Sequence, residues 1–189
     1  METTNKSNTL NLNKDAFSSG QISSKLWLCQ ELENLNISSV ETAIYGGWYG
    51  LTAFLLLSRQ RYQVERIRSY DIDPTCETAA DLLNENWVWQ EWKFKAHTAD
   101  CNFVQSAADV IINTSTEHFS SLNWFENIST GTIVALQGNN MLHDDHTTCS
   151  KTLAEFCHNY KLQKTFYEGQ LDFIYSTWSF SRFMVIGIK

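Results

Sequence analysis

Three of the eight glycines in this 189-residue chain, Gly46, Gly47 and Gly50, fall within the stretch AIYGGWYG. They lie between the apolar TAIY and the apolar run LTAFLLL, where a strand must turn sharply into a helix. Glycine at such a turn permits positive φ and lets a ligand approach bare backbone, which is how a nucleotide is cradled in a βαβ unit. Asp71, in SYDIDP, follows Gly50 by 21 positions, close to the ~20 at which an acid reaches the ribose hydroxyls of such a nucleotide. Asp73 directly precedes Pro74, and an acidic N-cap followed by proline starts many helices; ribose is therefore assigned to Asp71 and capping to Asp73. Asp100, in TADCN, ends the next strand. Its carboxylate can accept from an adenine amino group, with Cys101 and Asn102 against the ring, or serve as a solvent-facing loop acid.

A regular alternation of strand and helix patterns must position these residues. Residues 1–15, rich in Asn, Thr and Ser, carry no periodicity and are expected to form a flexible tail ahead of one domain over 16–189. A helix is expected from Ser24, capped by Ser23 or Ser24, with Leu26, Cys29, Leu32 and Leu35 on a partly amphipathic face. Next come strand TAIYG, a helix from Tyr49 to about Arg61, strand RIRSYDI, and a helix from Pro74 to about Asn84. In strand WKFKAHT, Trp92, Phe94 and Ala96 alternate with Lys93, Lys95 and His97. DVIIN and TIVAL are apolar on both faces, as central strands covered on both sides must be. A helix from Thr147 or Thr148 to about His158 follows, and TFYEGQL and RFMVIGI close the chain as an antiparallel pair at one edge. Such alternation implies βαβ crossovers and an open α/β sheet whose ligands bind at the carboxyl ends of its strands.

Composition narrows the partners. With 43% hydrophobic residues and one proline, the chain suits one compact domain with a sizeable core. A formal charge of −7 argues against a surface that neutralises many phosphates, so a nucleic-acid partner is disfavoured. Five scattered cysteines with no C-x-x-C pair give neither a zinc centre nor a redox pair and read as reduced thiols. The polar start METTNKSNTLNLNKD lacks a signal-peptide core, and no apolar run approaches the ~20 residues that span a bilayer. A cytoplasmic protein without membrane contact is expected.

From about residue 20 to 189 the chain resembles the class I S-adenosylmethionine-dependent methyltransferases. IYGGWYG looks like their first glycine motif, SYDIDP like the acidic end of their second strand, TAD like their adenine-contacting loop and DVIINTSTEHF like their fourth-strand motif. The resemblance implies a Rossmann-like three-layer αβα sandwich around a mostly parallel seven-stranded sheet with an antiparallel last strand. It implies S-adenosylmethionine as cofactor, held by Gly46, Gly47, Tyr49, Gly50, Asp71, Asp100, Cys101 and Asn113. The glycine motif departs from the family's G-x-G-x-G and from the G-x-G-x-x-G of nicotinamide dehydrogenases. The activity implied is methyl transfer to a small molecule or a protein side chain. The alternatives are a catalytically silent cofactor-binding subunit of a heteromeric enzyme and an RNA methyltransferase, and assembly with itself or another chain is open.

By the same resemblance the methyl acceptor sits at NTSTEHF. Methyl transfer is an in-line displacement that needs alignment and exclusion of water. Asn113 is expected to orient the donor's amino-acid part or the acceptor, and Glu117 or His118 to take the acceptor's proton, unless those two merely begin a helix. Histidine is the more natural base near neutral pH. Thr114 and Ser115 stand where the family's DNA amino-methyltransferases carry prolines, which argues against a flipped base as acceptor. Asn139 and Asn140 are expected to contact substrate. Gln21 and Lys25 are placed to line a lid, Lys25 meeting a carboxylate, unless serine capping and a solvated lysine account for that segment. Trp48 offers a cation–π face or simple packing. HDDH, His143–His146, has metal-ligating residue types, and some catechol-type methyltransferases use a divalent ion. Its neighbours point different ways on a regular backbone, however, and Asp144 to Thr148 are expected to cap the next helix, so no metal is expected.

Overall fold

The computed structural model describes residues 12–59 and 61–189. The chain runs through α1 (Ser19–Asn34), β1 (Ser39–Tyr45), α2 (Leu51–Arg59), β2 (Val64–Asp71), α3 (Pro74–Leu83), α4 (Glu85–Val88) and β3 (Phe94–Thr98). It continues through β4 (Val110–Asn113), α5 (Asn123–Glu126), β5 (Ile133–Asn139), α6 (Leu153–Asn159), β6 (Lys164–Ile174) and β7 (Ser179–Ile188). The strands form a seven-stranded sheet in the order β3-β2-β1-β4-β5-β7-β6. β1 to β5 are parallel, and β7 runs antiparallel to both β5 and β6.

Successive strand residues point to opposite faces, so strands apolar at every position need two covering layers. Ile44, Ile67, Phe94, Ile112, Ala135 and Met184 pack with Leu28 and Leu32 of α1 and Ala53 and Leu56 of α2. The interleaved residues Ala43, Tyr45, Ile111, Val134, Leu136 and Val185 pack with Trp124, Phe125, Phe156 and Tyr160 on the other face. Each fully buried Leu, Ile or Phe in these layers contributes about 1.5–3 kcal/mol. Two polar contacts tie the flanking helices to one another and to the sheet. Glu33 of α1 accepts from Arg59 of α2 at 2.6 and 2.7 Å, and that hydrogen-bonded guanidinium holds the Glu33 carboxyl below its usual range. Glu77 of α3 accepts the backbone N–H and hydroxyl of Thr98 at 2.8 Å each, which fixes the end of β3 just before Asp100.

Several boundaries differ from those expected of the sequence. α1 begins at Ser19 rather than Ser24, because Ser18 is the cap and its hydroxyl accepts from Gln21 N. Asn13 caps a 3-10 turn over Lys14–Phe17, so the segment expected to be a tail is structured from there; residues 1–11 lie outside the described residues. α2 starts at Leu51 rather than Tyr49, since Trp48 (φ 48°) and Gly50 (φ 76°) are left-handed and cannot be helical. α6 starts at Leu153, capped by Thr152 rather than by any of Asp144 to Thr148. Thr147 and Thr148 instead donate their backbone N–H groups to Glu117 O at 2.8 and 3.2 Å, so their loop lies against the end of β4. No helix among the described residues is long and apolar enough to cross a membrane.

Candidate functional site

The strand order reverses between β1 and β4, so the loops following them diverge and a crevice opens at their carboxyl ends. The glycine turn forms one wall. Gly46 takes φ 63°, and a Cβ there would stand 2.7 Å from Ser115 Oγ, whose hydroxyl donates to Gly46 O at 3.2 Å. Gly47 donates its N–H to Tyr70 O at 3.1 Å and sits against Ser69, leaving no room for a side chain. Asp71 fastens the turn from the neighbouring strand: Oδ2 accepts Trp48 N–H at 2.8 Å and Oδ1 accepts Asp73 N–H at 3.1 Å. Holding Trp48 at positive φ needs such a partner, because a bulky residue is strained there. Asp73 caps α3, accepting Thr75 N–H at 2.9 Å.

Asp71 and Asp100 line the same cleft, of about 750 Å³, together with Gly46, Gly47, Trp48, Tyr49 and Cys101. Asp100 Oδ1 accepts the backbone and side-chain N–H groups of Asn102 at 2.9 Å each, which sets its orientation. Burial pushes the Cys101 thiol up to about 12, so it meets a ligand as an uncharged surface. Tyr49 OH accepts Asn13 N–H at 3.3 Å and so draws the chain ahead of α1 over the cleft, with Asn13 and Asp15 in its lining. This end of the cleft is rich in acceptors for hydroxyl and amino donors.

The other end is charged. Lys25 is 7% exposed and donates from Nζ to Gln21 Oε1 at 2.5 Å. Burial lowers its pKa to about 7; the charge of Arg182 acts in the same direction, and those of Glu117 and Asp15 oppose it. Glu117 is 2% exposed, with Oε1 accepting from Asn139 Nδ2 and standing 3.8 Å from Arg182 Nη1. Arg182 Nη1 also donates to Thr114 O at 3.2 Å. Acidic and basic side chains buried together at one end suit a zwitterionic group.

No protein-family model matches this chain, and no curated protein matches it. Solved structures do share its architecture. N-methyltransferase NodS from Bradyrhizobium japonicum WM9, in complex with S-adenosyl-L-homocysteine, superposes with a TM-score of 0.67 at 10% identity, covering 89% of this chain and 88% of that one. Magnesium protoporphyrin IX methyltransferase (ChlM) from Synechocystis PCC 6803, with bound S-adenosylhomocysteine, also gives 0.67 at 10% identity, over 94% of this chain and 88% of that one. A putative sarcosine dimethylglycine methyltransferase from Galdieria sulphuraria gives 0.64 at 10% identity, over 89% and 86%. The chain has the class I S-adenosylmethionine-dependent methyltransferase fold.

Within this methyltransferase fold, Gln21, Lys25, Gly46, Gly47, Tyr49, Asp71, Asp100, Cys101, Glu117, His118 and Asn139 all line the one cleft. Three residues expected there do not. A Cβ on Gly50 would stand 2.6 Å from Asn84 Nδ2 and 3.1 Å from Ala80 Cβ, so this glycine seats the start of α2 on α3. Asn113 is fully buried, and its Oδ1 accepts Ser115 N–H at 2.9 Å, shaping the loop beneath the cleft. Asn140 Oδ1 accepts Ser181 N–H at 2.7 Å and is spent on joining β5 to β7. Sequence reasoning missed Asn13, Asp15, Thr114, His146 and Arg182, which also line the cleft. For Arg182 a signal exists: a lone cation entering the apolar run RFMVIGI must find partners when that strand is buried.

Proposed function

We propose that this protein binds S-adenosylmethionine in the cleft and catalyses transfer of its methyl group to a small-molecule or protein side-chain acceptor. The reading is carried by the convergence of the bare Gly46–Gly47 backbone, Asp71 and Asp100 on one cleft at the strand ends. The cofactor supplies a methyl group made electrophilic by a sulfonium. Asp71 would accept the ribose hydroxyls with the lone pairs left by Trp48 and Asp73, and Asp100 the adenine amino group, both as charge-assisted bonds. Lys25 and Arg182 would meet the cofactor's carboxylate, and Asp15 its ammonium. The segment from Asn13 to Lys25 covers the cleft and limits access of water. His118 is exposed at the cleft rim, where it would meet the acceptor. The charge of −7 supports a small acceptor over a nucleic acid, and enzymes named for small-molecule substrates stand among the similar structures.

Titration calorimetry with S-adenosylhomocysteine, on protein freed of any co-purified ligand, tests the cofactor. Saturable binding of one equivalent is expected, and its absence would overturn the reading. Release of S-adenosylhomocysteine on incubation with a metabolite extract then separates an enzyme from a silent cofactor-binding subunit.

A further inference from the structure

We infer that Glu117, His118 and His146 form a binding site for one divalent first-row transition ion at the acceptor end of the cleft. One ligand atom from each of the three residues lies within 4.8 Å of the other two. Ligands held at about 2.1 Å around an ion stand about 3.0–3.5 Å apart, so small side-chain rotations complete the set.

Each imidazole is held to the backbone through Nδ1. His118 Nδ1 faces Asp145 O at 3.2 Å, and His146 Nδ1 faces Met141 O at 2.8 Å. A backbone carbonyl only accepts, so each Nδ1 carries a hydrogen, and in the neutral ring that leaves the Nε2 lone pair for an ion, as in metal-binding histidines oriented by a carbonyl. The rings stand nearly perpendicular, 85° between planes with centroids 4.8 Å apart. Glu117 gives an independent indication. It is 2% exposed, its Oε1 is engaged by Asn139, and its Oε2 is buried without a hydrogen-bond partner. An unpartnered buried carboxylate oxygen is costly, and a cation beside it removes that cost.

The loops that carry these residues are stitched together. Thr147 and Thr148 donate backbone N–H groups to Glu117 O, and Thr148 Oγ1 donates to Thr116 O or Phe119 O, both at 2.9 Å. The set is thus preorganised across a long sequence separation. It also explains why the HDDH segment alone predicts no metal: only His146 of that segment takes part, and its partners come from the end of β4. Two imidazoles and one carboxylate favour Mn²⁺ to Zn²⁺ over Mg²⁺ or Ca²⁺. All three residues line the cleft, so three protein ligands leave coordination positions open towards it. That part of the inference rests on the proposed function: an acceptor bearing oxygen donors would dock there beside the methyl donor.

The site is tested on chelator-stripped full-length protein, without cofactor, by Mn²⁺ titration followed by electron paramagnetic resonance and by Zn²⁺ competition against a chromophoric chelator. One equivalent should bind, with nitrogen couplings from two imidazoles in the pulsed spectrum. His118→Ala, at an exposed position, and His146→Ala should each remove one coupling and weaken binding at least 10-fold, since even changes behind the ligands cost 10–100-fold. His158→Ala, on the exposed face of α6 away from the cleft lining, should leave both intact. Failure of both ions to bind, or binding retained in both His118→Ala and His146→Ala, overturns the inference. Protein that binds S-adenosylhomocysteine but no ion refutes the metal site alone, whereas ion binding without S-adenosylhomocysteine binding refutes the cofactor reading alone.

Discussion

Asp71 serves the glycine turn and, on the proposed reading, the ribose, and two substitutions separate these roles. Its carboxylate accepts Trp48 N–H at 2.8 Å and Asp73 N–H at 3.1 Å. A hydrogen bond to a charged group contributes about 1.5–3 kcal/mol. Asp71→Ala loses both bonds and releases Trp48 from φ 48°, so unfolding free energy should fall by about 2–4 kcal/mol. Asp71→Asn keeps one oxygen for Trp48 N–H and gives up the bond to Asp73, so its stability loss should be about 1 kcal/mol. Affinity should respond differently. Replacing a carboxylate that takes both ribose hydroxyls by a neutral amide removes the charge assistance, about 1.4–3 kcal/mol, or roughly a 10- to 100-fold weaker complex with S-adenosylhomocysteine. Urea unfolding and titration calorimetry on both variants, the latter well below the urea midpoint, provide the two readouts. An Asn variant that loses stability yet binds as tightly as the wild type would refute the ribose assignment and leave Asp71 a fastener of the turn.

Two further substitutions probe the frame of the site. The unfolded chain holds the Lys25 proton up to about pH 10.5 and the folded one only to about 7, so between these values the unfolded state binds more protons and stability rises with pH. At about 1.4 kcal/mol per pKa unit, Lys25→Met should gain several kcal/mol, at most about 5, at pH 6–7 and progressively less towards pH 10, while losing affinity for S-adenosylhomocysteine; destabilisation at pH 7 in thermal melts would contradict the burial argument. Gly50→Ala places a methyl group against Asn84 and Ala80 at positive φ, and should cost about 2–4 kcal/mol in urea unfolding with the affinity of the folded protein unchanged. Unchanged stability with lost affinity would return Gly50 to the cleft wall.

The residues that local chemistry marks are those the sequence identifies well. β4 and β5 are apolar at every position because both faces are covered, and that composition is visible in DVIIN and TIVAL without knowing what covers them. Asp73 before Pro74 is read correctly as a cap because a cap acts over three residues. The acids at the ends of β2 and β3 are placed by strand alternation alone, and both reach the cleft. The start of α1 is misread because Ser18, Ser19, Ser23 and Ser24 are equivalent as caps on paper, and what selects Ser18 is the 3-10 turn packed ahead of it.

By itself, then, the sequence determined the alternation that makes a parallel sheet, the glycine turn, and the two acids beside it, since each depends on period and spacing along the chain. Tertiary structure alone decided which polar residues share the charged end of the cleft. Lys25 comes from α1, Glu117 and His118 from the loop after β4, His146 from the loop after β5, and Arg182 from β7. Their meeting depends on strand order and on loop contacts such as Thr147 N–H to Glu117 O, which join residues far apart in the chain. The same distinction separates Asn139 from Asn140. Adjacent residues at a strand end face opposite sides of the sheet, so one amide holds Glu117 in the cleft and the other ties β5 to β7.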